Sequence, residues 1–207
     1  VLPGDFNVAN ALAAIVALVE AGVGLADAVA GVAACAGPPG RLERVEAGQD
    51  FTVVVDYAHK PGALEALLGA MREVTQGRLV VVVGCGGDRD RGKRALMGAV
   101  AARLADVAIL TNDNPRSEDP LAILAEMLAG AVGVPERERA QVQVLPDRAA
   151  AIETAVAAAK KGDVVVIAGK GHEHGQYVAG SVVPFDDREV AAAALARRQA
   201  DKLLADA

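Results

Sequence analysis

Leu79-Val80-Val81-Val82-Val83, followed at once by Gly84-Cys85-Gly86-Gly87, is the stretch that decides the fold. Five apolar residues without a polar alternate predict a strand that is buried on both faces, as in a parallel sheet covered by helices. Similar apolar runs occupy 107–110 and 164–168. The chain therefore contains several central strands, each followed by a polar or glycine-rich loop.

Helical patterns alternate with these strands along most of the chain. Predicted strands occupy 41–46, 51–55, 79–83, 107–111, 142–145 and 164–168, and a hairpin or edge pair occupies 176–183. Predicted helices occupy 61–74, 93–104, a segment from Pro120 capped by Asp119, a segment capped by Asp147 that ends at Lys160-Lys161-Gly162, and 187–205. The alternation predicts an α/β fold, a doubly wound and mostly parallel sheet with helices on both faces.

The first part of the chain has a different pattern. Apolar residues at helical spacing predict helices over 7–20 and 25–35, without a nearby strand. Gly37-Pro38-Pro39-Gly40 then interrupts any regular structure, so we place a domain boundary there, between 1–38 and 39–207. Because the chain begins at Val1 without Met and enters a helix almost directly, we expect an excised part of a longer protein.

Composition narrows the classes of function. The 207 residues carry a net charge of −6 and only 2% are aromatic. This composition does not indicate nucleic-acid binding, which typically needs a basic surface. No apolar run approaches the roughly 20 residues that span a bilayer. Cys35 and Cys85 are far apart, which favours a reducing compartment over a disulfide framework, and we expect the cytoplasm.

Four loops after predicted strands are rich in polar residues and glycine. They are Asp56-Tyr57-Ala58-His59-Lys60-Pro61, 84–93, Asp113-Asn114-Pro115-Arg116 and Gly169-Lys170-Gly171-His172-Glu173-His174-Gly175. Since ligands of open α/β sheets bind at the carboxyl ends of the strands, we expect the loops to share one site. Arg116 suits a carboxylate and Asp113 an ammonium, so a small zwitterion fits this site. The alternative for each loop by itself is an ordinary turn whose polar groups satisfy the backbone.

Two more specific interpretations of these loops are weaker. Gly87 and Gly92-Lys93 imitate a phosphate-binding P-loop, but Arg94 replaces the hydroxyl residue that should hold Mg²⁺. His172-Glu173-His174 resembles a metal-binding pattern, but alternate residues of one short loop rarely converge on an ion, so we expect no metal site. Asp56 and His59 could serve a nucleotide, although each by itself is more often a turn residue.

Taken together and in this order, the motifs resemble the Mur ligases, within them the members that add diaminopimelate. The residues that carry the resemblance are Gly4-x-Phe6-Asn7-x-x-Asn10, Gly40-Arg41-Leu42-Glu43, Asp56-Tyr57-Ala58-His59-Lys60-Pro61, Gly84-Cys85-Gly86-Gly87-Asp88-Arg89-Asp90-x-Gly92-Lys93-Arg94, Asp113-Asn114-Pro115-Arg116 and Gly169-Lys170-Gly171-His172-Glu173. The resemblance implies a Rossmann-like carboxyl-terminal ligase domain that binds the incoming amino acid, preceded by the helical tail of a central ATPase domain.

The resemblance also implies roles for individual residues. The residues expected to bind meso-diaminopimelate are Arg89, Asp113, Asn114, Pro115, Arg116, Gly169 and Glu173. Those expected to serve ATP are Asn7, Asn10, Arg41, Asp56 and His59. No covalent catalytic residue and no metal ligand are expected in this chain.

The implied reaction is amide formation in peptidoglycan synthesis. ATP and Mg²⁺ would activate UDP-N-acetylmuramoyl-L-Ala-D-Glu (UDP-MurNAc-dipeptide) as an acyl phosphate, which the amine of meso-diaminopimelate attacks. The family's true P-loop, its Mg²⁺-binding lysine and its UDP-sugar domain are missing from the 207 residues, so we expect this piece to be inactive by itself. The alternatives are a lysine-adding or related ligase, such as a folylpolyglutamate or cyanophycin synthetase, or a non-catalytic binding module.

Overall fold

A computed structural model describes residues 4–205. Residues 1–3 of the predicted first domain (1–38) and residues 206–207 of the predicted second domain (39–207) lie outside the described residues. The helices are α1 (Asp5–Glu20), α2 (Leu25–Ala34), α3 (Pro61–Val74), α4 (Gly92–Leu104), α5 (Pro120–Val132), α6 (Arg148–Ala158) and α7 (Asp187–Ala205), with a 3-10 turn at Glu136–Glu138. The strands are β1 (Glu43–Arg44), β2 (Thr52–Asp56), β3 (Leu79–Val83), β4 (Val107–Leu110), β5 (Gln141–Val144), β6 (Val164–Ala168), β7 (Gly175–Val178) and β8 (Ser181–Pro184).

The main sheet has six strands in the order β1-β2-β6-β3-β4-β5. Only β1 pairs in the antiparallel direction, with β2; the other neighbours are parallel. Strands β3, β4 and β5 extend the sheet in one direction, and the chain then returns so that β6 lies between β2 and β3. The order of the strands therefore reverses at the centre of the sheet. The predicted doubly wound, mostly parallel sheet is therefore confirmed, and the reversal opens a crevice at the carboxyl ends of the central strands.

Helices cover both faces of the sheet because side chains alternate along each strand. On one face, Val81 and Val83 of β3 and Val166 of β6 pack against α3, α4 and α5. On the other face, Val80 and Val82 pack against α6 and α7. All five residues of β3 are buried, as the apolar run predicts.

Several boundaries differ from the predictions by one or two residues, and two differences have a clear cause. The strand expected over 41–46 has only two paired residues, because Leu42 has a φ of 45° and donates its N–H to the Asp56 carboxylate instead of a neighbouring strand. Helix α6 ends at Ala158 rather than Lys160, since Asp163 accepts the N–H of Lys160 and redirects the chain.

The first two helices pack on each other and leave much apolar surface exposed. Val8 is 67% exposed and Leu12 62%, although the predicted helix itself is confirmed as α1. The hairpin expected within 176–183 is also confirmed, as the antiparallel pair β7 and β8. Over residues 4–205, no helix combines the length and apolar character needed to cross a bilayer.

Candidate functional site

The four predicted loops meet at one cleft of about 960 Å³. They follow β2, β3, β4 and β6, and their convergence confirms that the loops share one edge of the sheet. The lining residues carry charges of both signs: Lys60, Arg89, Lys93 and Arg116 are cations, and Asp90, Asp113 and Glu173 are anions. The cleft therefore suits a ligand that itself carries both charges.

A hydrogen-bonded network holds Asn114 and Glu173 at the cleft. The Asn114 Oδ1 atom accepts from Lys170 Nζ at 2.9 Å and from the Tyr177 backbone N–H at 3.0 Å. Its Nδ2 donates to Glu173 Oε2 at 2.8 Å, and Lys170 Nζ donates to the same oxygen at 3.0 Å. Burial raises the pKa of Glu173, but these donors outweigh it and hold that pKa below its usual value. Glu173 is thus an anion at neutral pH.

Arg116 is fixed by its backbone as well as by its guanidinium. Its φ is 53°, its N–H donates to Tyr177 O at 2.8 Å, and its own carbonyl accepts from Ala179 N at 2.7 Å. The guanidinium donates to Gly87 O at 2.6 Å. The hairpin of β7 and β8 therefore forms the outer support of this loop, and Arg116 bridges it to the glycine loop after β3.

An ion-pair cluster around the buried side chain of Arg94 joins the loops after β3 and β4. Arg94 is completely buried and contacts Glu118 at 2.8 Å and Glu126 at 3.1 Å. Glu118 also accepts the N–H of Asp88, and these donors, Arg94 first, lower the pKa of Glu118 to about 2. The position at which a P-loop needs a hydroxyl is therefore part of an internal ion pair, which argues against that interpretation.

A second buried pair supports the loops after β4 and β6. Arg148 forms an ion pair with Asp187 at 2.7 Å, and both side chains are fully buried. The guanidinium also donates to Ala168 O at 3.0 Å and to Asn112 O at 3.4 Å, just before Gly169 and Asp113. A Cβ atom on Gly169 would lie 2.7 Å from Asp113 Oδ2, so only glycine fits this close approach.

Aromatic and basic groups surround the β2 end of the cleft. Tyr57 packs against His59 and His172 with ring centroids 4.6 and 5.4 Å apart, and the Arg41 guanidinium lies 4.9 Å from the Tyr57 ring. Lys93 Nζ donates to His59 O at 2.8 Å, which links the loops after β2 and β3.

The structure brings together most of the residues expected to bind the amino acid. Arg89, Asp113, Asn114, Arg116, Gly169 and Glu173 line the cleft. Pro115 is buried and instead lines a separate depression beside the amino-terminal end of α6.

The residues expected to serve ATP are more dispersed. His59 lines the cleft, and Arg41 lies beside it on Tyr57. The Asp56 carboxylate faces the backbone N–H groups of Leu42 and Ala58 at 2.9 and 2.7 Å rather than the cleft; burial raises its pKa. Asn7 and Asn10 lie on α1, outside the cleft lining.

Sequence reasoning missed the supports of the site. Lys170, Arg94, Arg148 and Gln176 received no role, although Gln176 Nε2 donates to Asp113 O at 2.7 Å. Lys170 and Arg94 do stand within the quoted motifs, and a charged residue inside a glycine-rich loop was the available signal. Their complete burial depends on distant segments and is not visible in the sequence.

The three side chains of His172-Glu173-His174 go to three different partners. His172 packs on Tyr57, Glu173 binds Asn114 and Lys170, and His174 lies 2.9 Å from Asp186. Across the described part of the chain, no three His, Cys, Asp or Glu side chains gather as a metal site would require.

The fold and the cleft define a class: a doubly wound domain with a charged cleft at the carboxyl ends of its strands. The family described as Mur ligase, glutamate ligase domain, matches residues 40–171. The chain belongs to this family.

Named relatives extend the similarity to nearly the whole chain. A Streptomyces avermitilis protein is 63% identical over 198 residues and a Geobacillus kaustophilus protein 50% over 197, covering 96% and 95% of this chain. Both are named UDP-N-acetylmuramoyl-L-alanyl-D-glutamate--2,6-diaminopimelate ligase. The chain spans only 39% and 40% of their lengths.

Two solved structures are similar in fold to nearly the whole chain. A structure with the same ligase name is 41% identical, with a TM-score of 0.74 over 96% of this chain and 40% of that one. A UDP-N-acetylmuramate-alanine ligase from Thermotoga maritima, 17% identical, has a TM-score of 0.66 over 96% of this chain and 39% of that one, which shows the shared fold.

Proposed function

We propose that this chain is the amino-acid-binding part of an ATP-dependent ligase that adds meso-diaminopimelate to UDP-MurNAc-dipeptide. The observation that carries the proposal is that Arg116, Glu173 and Asp113 line the same cleft, which therefore offers both a cation and anions to one ligand. Meso-diaminopimelate carries a carboxylate and an ammonium at its distal end, whereas lysine carries only the ammonium there. An anion can accept the ammonium of either amino acid, so discrimination between them depends on a cation that binds the distal carboxylate.

We further propose that basic residues elsewhere in the cleft bind phosphate. His59, Lys60 and Lys93 lie around the β2 end of the site, where they suit the phosphates of ATP or an acyl phosphate. Members of the family generally use ATP and Mg²⁺. The described residues fit phosphate but gather no metal-binding group, so we assign Mg²⁺ no ligand here.

This chain would contribute positioning rather than a covalent step. Arg116 and Asn114 would hold the distal carboxylate, and Glu173 or Asp113 the distal ammonium, so that the reacting amine faces the phosphate end of the cleft. Holding two reactants in line can remove a large part of a reaction barrier. The cytoplasm, where ATP is available, is the proposed compartment.

We also propose that residues 1–38 belong structurally to a preceding ATPase domain. The exposed apolar face of α1 and the start of the family match at residue 40 support this division. Ligation would then need that domain, and the 207 residues by themselves would bind the amino acid without catalysis.

Calorimetric titration of the purified chain tests the proposed ligand. We expect meso-diaminopimelate to bind more tightly than L-lysine, and Arg116→Ala to weaken binding of meso-diaminopimelate about 10- to 100-fold, the value of one charge-assisted contact. Affinity for L-lysine should change little, since lysine lacks the distal carboxylate.

Arg137→Ala is the matched control, because Arg137 is exposed in the 3-10 turn outside the cleft. It should leave both affinities unchanged. Equal binding of the two amino acids by the unmodified chain, or absence of binding at millimolar meso-diaminopimelate, would count against the proposal. Tighter binding of L-lysine would favour the lysine-adding alternative.

A further inference from the structure

Lys170 is a buried lysine directly beneath the cleft. Its side chain is fully buried and does not line the cleft, yet its ammonium contacts two residues that do, Asn114 and Glu173. Burying an ammonium is costly unless it is paired and hydrogen-bonded. The Lys170 ammonium therefore makes hydrogen bonds to Asn114 and Glu173 that an apolar side chain could not make.

The partners of Asn114 define which way its amide faces. Its Oδ1 atom receives two donors that can only donate, the Lys170 ammonium and the Tyr177 backbone N–H. Its Nδ2 atom faces the Glu173 carboxylate, which as an anion can only accept. A flipped amide would place its NH₂ group against both donors and its oxygen against a carboxylate, so three contacts would become repulsive.

This orientation limits what Asn114 can offer a ligand. A carbonyl oxygen has two lone pairs, and both are occupied by Lys170 and Tyr177. The NH₂ group has two hydrogens, of which Glu173 takes one. Since Asn114 lines the cleft, the group left for a ligand is an N–H donor, which recognises a carboxylate and not an ammonium.

We propose that Lys170 is a positioning residue that locks the Asn114 amide with its N–H toward the cleft and thereby selects a ligand bearing a distal carboxylate. This rests on the proposed function for the identity of the ligand, but the orientation of the amide does not. Without the ammonium, one of the three contacts that oppose the flipped amide is lost, and Glu173 loses the donor that holds it beside Asn114, so the amide is held less firmly in this orientation.

Lys170→Met, which keeps the length of the side chain but removes its charge, tests the lock. We expect its affinity for meso-diaminopimelate to fall at least about tenfold, with a change of less than about threefold for L-lysine, so that the ratio of the two affinities falls. A purely structural role would weaken both ligands together. Lys161→Met, at an exposed lysine, is the matched control and should leave the ratio unchanged. An unchanged ratio in folded Lys170→Met would overturn the proposal.

Asn114→Asp keeps the test decisive if Lys170→Met does not fold. Aspartate still offers an acceptor to Lys170 and Tyr177 and presents no N–H to the cleft; because its second oxygen faces the Glu173 carboxylate, circular dichroism must first show that this variant is folded. We expect the preference for meso-diaminopimelate to be lost. A retained preference would show that no donor from residue 114 is used.

Nuclear magnetic resonance can report the orientation of the Asn114 side-chain amide in the absence of any ligand. This test is therefore independent of the proposed function. In the unmodified chain, the Asn114 side-chain NH₂ protons should show stronger nuclear Overhauser effects to the Glu173 side chain than to the Tyr177 amide proton. The reverse pattern would overturn the lock even if meso-diaminopimelate binds. If the expected pattern is seen but meso-diaminopimelate does not bind, the amide orientation is supported and the proposed ligand is wrong.

Discussion

Three cations, Arg94, Arg148 and Lys170, are completely buried, and each holds the backbone or side chains of cleft loops. Arg94 joins the loops after β3 and β4, Arg148 those after β4 and β6, and Lys170 joins Asn114 to Glu173. Each can be kept only because acceptors surround it, since an unpaired buried charge is strongly destabilising. The loops of the site are thus joined by buried cations, two of which, Arg94 and Lys170, pair with carboxylates that are partly exposed.

The pair of Arg148 and Asp187 gives a stability prediction at the same scale. Asp187→Ala should lower the free energy of unfolding by about 3–5 kcal/mol, because it leaves the buried guanidinium without its counter-charge. The double variant Arg148→Met with Asp187→Ala should cost less than the single one, since it leaves no charge behind. Urea unfolding monitored by circular dichroism measures both. A double variant as unstable as the sum of the two single variants would contradict this account.

At the scale of the element, helices α4 and α5 approach closely because each has a glycine that faces the backbone of the other helix. A Cβ atom on Gly98 would lie 1.9 Å from Met127 O, and one on Gly130 would lie 1.8 Å from Ala95 O. Both helices lead directly from the loops of the cleft. Their spacing therefore sets how far apart the loops after β3 and β4 begin.

Gly98→Ala should separate α4 from α5 and destabilise the chain by about 1–3 kcal/mol or more, as expected for overpacking. Gly69→Ala in α3 is the matched control, since its Cβ would meet nothing within 4 Å. This control should stabilise the chain by about 0.5–1 kcal/mol, because alanine is the better helix former. Thermal and urea unfolding distinguish the two. Equal effects would show that α4 and α5 are not in close contact.

At the scale of the whole molecule, several carboxylates are held ionised by hydrogen bonds from cations. The pKa values of Glu118, Glu126, Asp163, Glu173 and Asp186 all lie below their usual range. Carboxylates of this kind stabilise the folded chain fully above their unfolded pKa values, near 4. The stabilisation is lost as the pH falls through the folded pKa values, since the unfolded chain then binds more protons.

Glu118 should account for a measurable part of this acid sensitivity. With its pKa lowered from 4.5 to about 2, the unfolded chain binds about one more proton than the folded chain at the middle of that interval. Glu118→Gln should remove about one proton from the uptake on unfolding near pH 3, which appears as a shallower dependence of unfolding free energy on pH. Glu65→Gln, on the exposed face of α3, is the control for removing one negative charge. An unchanged slope in Glu118→Gln would contradict the ion pair with Arg94.

Much of the site was accessible from the sequence because strand runs and polar loops are local patterns. The run Leu79–Val83 and the Asp119 cap of α5 place their elements without knowledge of distant residues. The positions of the loops then follow from one rule, that ligands bind at the carboxyl ends of parallel strands. The supports could not be found in this way, since Lys170 meets Asn114 across 56 positions and Arg148 meets Asp187 across 39.

The sequence by itself determined the α/β class, the order of the elements and the four loops that build the cleft, because hydrophobic periodicity and glycine placement act over a few residues. Only the tertiary structure decided that β6 inserts between β2 and β3, and that insertion brings the loop of Glu173 next to Asn114. It also decided which charges face the cleft and which are buried beneath it. Burial and pairing depend on segments far apart in the chain, so no local pattern could assign Lys170, Arg94 and Arg148 to the interior.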